Sequence, residues 1–195
     1  MKNIFFFTGN KNKYSEIKGL LKTTNLKIYT LNNFKNFREP IESGKSFAEN
    51  AKIKSDFGFI KSNIPCFADD SGICIKALNY KPGIFSKRYL SKFKSNKDCF
   101  NKIINQVEKS GEQAAFFKTS ISLTIRLGIT VCFEGVVRGK ISNKVCGKNG
   151  FGYDPIFIPL GYNETISKLG YDLKNTISHR CVAVEKMMNT IFRNE

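Results

Sequence analysis

In "CFADDSG", residues 66–72, two adjacent carboxylates, Asp69 and Asp70, follow a short apolar run and precede a hydroxyl and a glycine. Hard divalent ions such as Mg2+ take oxygen ligands and use one or two carboxylates alongside water and substrate phosphate. Repulsion between neighbouring acids also favours a bound cation. The pair is therefore a candidate metal site, the other reading being a solvated turn capped by aspartate. Glu42, in "EPIESGKSF", is another oxygen donor on a loop. "TGNKNK" sets Thr8, Asn10 and Lys13 where a strand gives way to a helix. Backbone N–H groups, a helix dipole and an ammonium can converge on a phosphate there. Its spacing is neither that of a Walker A loop nor of a G-x-G-x-x-G fingerprint, so a capped turn is the alternative. "GKNGFGYDP" combines Gly147, Gly150 and Gly152 with Phe151, Tyr153 and Asp154, which allows close backbone approach to a ligand beside an aromatic able to stack on a base. His179 and Arg180 open the final predicted helix, where cations oppose the dipole, a placement that suits contact with a ligand.

The elements that must hold these residues alternate between strand and helix. "NIFFF" reads as a buried strand, and "YSEIKGLLK" as a helix with Ile17, Leu20 and Leu21 on one face. "SFAE" is a capping box, with Ser46 starting a helix that Glu49 supports; Ile53, Phe57 and Ile60 mark its predicted core face and Pro65 its close. The acids fall where a buried strand should end, and "ICIKAL" resumes as strand. "SNKDCFNKIINQVEKS" is helical, with Asn96 as cap and Phe100, Ile103, Ile104 and Val107 facing the core. Ile121, Leu123 and Ile125, then Ile129, Val131 and Phe133, alternate with polar residues on either side of Gly128 and predict a hairpin. A last helix follows Ser178 as N-cap, with Val184, Met188 and Ile191 inward.

At 195 residues with 41% hydrophobic content, the chain fits one folded domain spanning 1–195. Thirty-two basic residues against 16 acidic ones give a net charge of +16, which attracts polyanions without naming one. The lysines are dispersed and no nucleic-acid reader motif accompanies them, so no stable nucleic-acid complex is expected. The six cysteines lack C-x-x-C spacing and read as reduced core thiols. "MKNIFFFTGN" is too short in apolar residues for a signal-peptide core and no stretch reaches membrane-spanning length, which predicts a cytoplasmic protein without a membrane partner.

Taken in order, "TGNKNKYSEI", "ESGKSFAENAKIKS", "PCFADDSGICIKAL", "PGIFSKRYL", "FEGVVRGKI", "GFGYDPIFIP" and "KNTISHRCVA" resemble the inosine/xanthosine triphosphate pyrophosphatases. The resemblance implies an elongated, two-lobed α/β fold with a long mixed central sheet flanked by helices, a nucleotide cleft between the lobes, and a homodimer. It implies Mg2+-supported cleavage of the α–β phosphoanhydride of ITP, dITP or XTP, a small-molecule substrate, to monophosphate and pyrophosphate. Thr8, Gly9, Asn10, Lys11, Asn12 and Lys13 then match the triphosphate loop, and Lys54 a further phosphate-facing lysine. Asp70 matches the general base and a metal ligand, with Glu42 and Asp69 completing the expected metal set and Ser71 contacting substrate. Phe151, Gly152, Tyr153, Asp154, Lys174, His179 and Arg180 match nucleotide- and base-binding positions. Arg180 is expected to donate to the purine 6-keto oxygen. The alternatives are a pyrophosphatase of another base preference and a basic nucleic-acid-binding protein.

Overall fold

The computed structural model describes residues 2–22, 24–34 and 38–192. Strand β1 (Asn3–Phe6) leads into helix α1 (Lys11–Leu20), strand β2 (Lys27–Tyr29) and helix α2 (Phe47–Ser62). Strand β3 (Cys66–Ile75) is followed by helices α3 (Ser86–Leu90) and α4 (Asn96–Ser110), then strands β4 (Ala114–Arg126) and β5 (Ile129–Ile141). Strand β6 (Phe157–Pro159) and helices α5 (Ile166–Leu169), α6 (Tyr171–Ile177) and α7 (His179–Phe192) complete the chain. The strands form one six-stranded mixed sheet in the order β2-β1-β3-β4-β5-β6. β1 runs parallel to β2 and β3, with Phe5 opposite Cys66 and Phe6 opposite Phe67, while β6 runs antiparallel to β5.

The expected α/β alternation is present. One difference matters for chemistry: β3 does not stop at the acids but continues through Asp69, Asp70, Ser71 and Gly72 to Ile75. The acids therefore lie within a sheet strand, buried, rather than in a turn.

The chain divides into two compact units. The first comprises Met1–Asp70, Thr119–Gly135 and Arg180–Glu195; the second comprises Ser71–Lys118 and Val136–His179. In the first unit, successive side chains of a strand point to opposite faces, and each face meets a different partner. Ile4, Phe6 and Phe67 pack with Ile17 of α1, with Leu21 at its C-terminal cap, and with Ala183, Val184 and Met187 of α7. Phe5, Phe7, Cys66 and Ala68 pack on the other side with Phe57 and Phe59 of α2. In the second unit, Phe100, Ile103, Ile104 and Val107 of α4 enclose Ile73, Ile75, Phe117, Tyr153 and Phe157, as the helical spacing predicts.

Three local expectations are corrected. The cap of α4 is Ser95, whose hydroxyl accepts from the Asp98 N–H at 3.1 Å; Asn96 is already helical. In α2 the buried face is Phe47, Asn50, Ala51, Lys54, Ser55 and Gly58, whereas Ile60 is exposed and Ile53 and Phe57 are half-buried. Small and polar residues fill that face because it packs on polar groups: Ser55 Oγ lies 3.0 Å from Ser122 and 2.9 Å from Thr124 on β4. Ser122 and Thr124 are themselves buried. All six cysteines are free thiols, but Cys132 is exposed rather than in the core.

Candidate active site

The alternation of β3 decides what each acid can do. Asp69 and Asp70 are consecutive, so their side chains leave opposite faces of the strand. Asp69 points toward α1 and α7: its Oδ2 pairs with Lys13 Nζ at 3.0 Å and accepts from the Arg180 guanidinium at 3.3 Å. Arg180, only 1% exposed, also pairs with Glu16 of α1. Burial disfavours the Asp69 carboxylate, yet Lys13, Arg180 and Lys54 together hold it well below the usual aspartate range. Its Oδ1 is buried and finds no hydrogen-bond partner among the described residues.

Asp70 points toward α2. Lys54 Nζ approaches its Oδ1 at 3.2 Å and Asn50 Nδ2 its Oδ2 at 3.4 Å, so residues one helical turn apart bracket the carboxylate. The Asp70 carbonyl accepts from Thr119 Oγ1 of β4 at 3.1 Å, which ties down the backbone under the acid. Burial raises the Asp70 carboxyl above its ordinary value, with Lys54 and Lys13 opposing the rise. Lys54 Nζ also bonds Glu42 Oε1 and the Asp69 carbonyl, each at 2.8 Å. Burial works against that ammonium, but Asp70, Asp69 and Glu42 raise its pKa overall.

Glu42 and Asp70 therefore converge on one cationic centre. Both are hard oxygen donors of the type a divalent ion takes, and the oxygens that meet here already accept from the Lys54 ammonium. Asp69, expected in the same set, faces the other side of the strand and spends Oδ2 on Lys13 and Arg180. Among the described residues no group of three His, Cys, Asp or Glu side chains converges as a metal cluster.

The Thr8–Lys13 stretch occupies the β1–α1 junction as expected. Asn10 caps α1, its Oδ1 accepting from the N–H groups of Asn12 at 2.9 Å and Lys13 at 3.3 Å. Thr8 Oγ1 accepts from the Asn10 N–H, and Glu39 accepts from the Gly9 N–H. Lys11 and Asn12 are exposed, whereas Lys13 turns inward to Asp69. Burial, reinforced by Lys54 and Arg180, lowers the Lys13 pKa against the pull of Asp69.

The second unit holds its own polar group. Lys174 Nζ pairs with Asp154 Oδ2 at 2.6 Å and lies 4.1 Å from the Phe151 ring centroid. Asp154 Oδ2 also accepts from the Phe151 N–H at 2.8 Å. Gly150 has φ 82°, and any Cβ there would collide with that carboxylate. Gly152 carries φ 63° in the same turn. Tyr153 belongs to the core, donating to the Ser86 carbonyl at 2.9 Å, so of the two aromatics in this loop only Phe151 is partly open. His179 is 5% exposed and stacks on Phe117 at 4.9 Å. Ser71 follows Asp70 on β3 and is half-buried. Lys168 pairs with Glu164 on the surface.

Sequence reading missed Glu16, Asn50 and Thr119. Glu16 sits three residues after Lys13, beside the buried Ile17, and Asn50 four residues before Lys54, so helical spacing was the available signal. Thr119 lies in β4 before the alternating stretch that predicted the hairpin, and its contact is with a backbone carbonyl, which leaves no pattern in sequence.

A mixed α/β sheet whose third strand buries adjacent aspartates against lysines from two helices, the first helix capped by a Thr-Gly-Asn turn, defines an α/β protein with a buried charged centre. The chain belongs to the Ham1 family, whose model matches residues 4–190. Its relatives include a dITP/XTP pyrophosphatase of Borrelia duttonii, 40% identical over 194 residues and covering 95% of both chains. A dITP/XTP pyrophosphatase of Flavobacterium johnsoniae is 36% identical over 188 residues, which is 96% of this chain and 97% of that protein. The solved structure of a HAM1 protein from Coxiella burnetii superposes with a TM-score of 0.89 at 33% identity over 100% of both chains.

Proposed function

We propose that this protein is a nucleoside-triphosphate pyrophosphatase that hydrolyses non-canonical purine nucleotides, ITP, dITP and XTP, to the monophosphate and pyrophosphate, clearing them from the nucleotide pool. The observation that carries the reading is the bracketed Asp70: a buried carboxylate of raised pKa, held between Asn50 and Lys54, with Glu42 on the same ammonium. A carboxylate whose pKa lies above the ordinary aspartate value is a stronger base than an ordinary aspartate. Phosphoryl transfer otherwise asks the protein for position and charge neutralisation.

Asp70 is the residue assigned to orient the attacking water and take its proton. Glu42 and Asp70 would hold Mg2+, with Asp69 as support beneath them through its buried pairs with Lys13 and Arg180. When bound, Mg2+ supplies positive charge against the phosphate oxygens and the leaving pyrophosphate. Lys13, Lys54 and the Thr8–Lys13 loop, including Gly9, Lys11 and Asn12, are assigned to the triphosphate, the lysines bringing positive charge. Ser71, next to Asp70 on β3, is assigned a substrate contact.

Phe151, Gly152, Tyr153, Asp154, Lys174 and His179 are assigned to the nucleoside. Phe151 is the partly open ring available for stacking, and the Lys174–Asp154 pair offers both a donor and an acceptor. Arg180 was expected at the purine, but its partners are Glu16 and Asp69, which supports a role in holding Asp69. The reading takes the chain as one functional domain, a cytoplasmic homodimer with no membrane or stable nucleic-acid partner. No helix among the described residues is long and apolar enough to cross a membrane.

The test is to incubate ITP, XTP, dUTP and ATP separately with the protein and Mg2+ and to identify the phosphate product. Pyrophosphate from ITP and XTP in preference to dUTP and ATP is the expected result. Preference for dUTP or ATP would assign another base specificity, and orthophosphate as the first product would overturn the reaction type.

A further inference from the structure

We infer that Asn50 is a positioning residue that fixes the Glu42 loop and the Asp70 carboxylate against each other through the two ends of one amide; the inference rests on the catalytic reading of Asp70. Asn50 is fully buried in the first turn of α2, on the same face as Lys54 one turn later. Asparagine is a mediocre helix former and an expensive group to bury, so a buried helical amide implies that both ends are partnered.

One end is fixed by geometry. The Gly44 N–H donates to Asn50 Oδ1 at 2.8 Å. An amide whose oxygen accepts from Gly44 must turn its NH2 the other way, and there Nδ2 stands 3.4 Å from Asp70 Oδ2. The flipped amide would set an oxygen against a carboxylate and an NH2 against an N–H, two repulsive contacts in place of two attractive ones. The approach of loop to helix is itself dependent on glycine: a Cβ on Gly44 would lie 2.7 Å from Asn50 Oδ1 and 2.9 Å from the Asn50 nitrogen. Glu42, two residues earlier, is thereby held within 2.8 Å of Lys54, the same ammonium that contacts Asp70 Oδ1. Asn50 thus sets both the facing of Asp70 and the reach of the loop that carries the second carboxylate.

Asn50→Asp separates the two functions. Aspartate keeps an oxygen for the Gly44 N–H but cannot donate to Asp70, and it places a like charge beside it. Asn50→Ala removes both contacts. The measurements are steady-state ITP hydrolysis and hydrogen exchange of the Gly44 amide, wild type against both variants, with circular dichroism to check the fold. In the wild type, the Gly44 amide should be protected. Asn50→Asp should keep that protection while kcat falls by about 10–100-fold, the usual cost of losing an orienting partner, with KM for ITP changing by less than about threefold. Asn50→Ala should lose both kcat and Gly44 protection.

An unprotected Gly44 amide in the wild type, or an Asn50→Asp enzyme within about twofold of wild-type kcat, would overturn the inference. The wild-type exchange measurement decides the loop half even where a variant does not fold. Asp70→Asn run alongside separates the two levels. If it is inactive while Asn50→Asp is active, only the role of Asn50 falls; if both are active, the catalytic reading falls with it.

Discussion

Adjacent aspartates of one strand acquire opposite chemistry here because a strand turns consecutive side chains to opposite faces. Asp69 is drawn down by Lys13, Arg180 and Lys54 despite burial, while burial lifts Asp70. Removing the Asp69 carboxylate leaves the buried guanidinium and ammonium short of a partner, and loss of one member of a buried ion pair costs about 3–5 kcal/mol. Asp69→Ala should therefore show its defect first in urea unfolding. The pH dependence has a definite sign. A depressed folded-state pKa means that the unfolded chain takes up the proton first, so the stabilisation is complete above the ordinary aspartate value of about 3.9 and fades as pH falls below it. Wild-type unfolding free energy should decline over that acid range, and the decline should be shallower in Asp69→Asn. Asp70→Asn should behave differently, with the fold retained and turnover reduced by about 10²–10⁴-fold, the usual scale for losing a general base. The types and order of these residues were legible in the sequence. Their separation in role was not, because it depends on β3 running through the acids, and two adjacent carboxylates read locally as the end of a strand.

Helix α2 is the element whose sequence is most altered by what it packs against. Its apolar spacing points Ile53, Phe57 and Ile60 inward, yet Phe57, packed on Phe7, is only half-buried, Ile60 is exposed, and Asn50, Lys54, Ser55 and Gly58 are buried alongside Phe47 and Ala51. Periodicity tracks the transfer of apolar surface, and this helix instead buries polar groups that find partners on Asp70, Ser122 and Thr124. By contrast, α4 packs against an apolar cluster, and there the spacing located the core face. Gly58 gives a test in which two effects compete. Glycine to alanine inside a helix is ordinarily worth about 1 kcal/mol of stability. A Cβ at Gly58, however, would overlap Cys66 Sγ and lie 3.1 Å from the Phe7 ring. Overpacking of this kind costs about 1–3 kcal/mol, so Gly58→Ala should destabilise, as a lowered urea midpoint with unchanged slope. Ser46→Ala removes the hydroxyl that accepts from the Glu49 N–H at 3.1 Å and should cost about 1 kcal/mol in the same assay.

At the scale of the whole molecule, a net charge of +16 meets a substrate that carries several negative charges. Long-range attraction raises encounter rates and is screened by salt. The kcat/KM for ITP should fall as NaCl is raised, with kcat itself little changed; insensitivity to salt would mean that the charge plays no part in capture. The α/β class and the family were legible because the motifs occur in order from Thr8 to Ala183, whereas the partition into two compact units depends on contacts distant in sequence. In the proposed reaction, water activated at Asp70 attacks the α-phosphorus. Hydrolysis of ITP in water enriched in heavy oxygen, followed by mass analysis of both products, tests it directly. Attack at the α-phosphorus places the label in the inosine monophosphate and none in pyrophosphate; label in pyrophosphate or in released orthophosphate would rule that attack out.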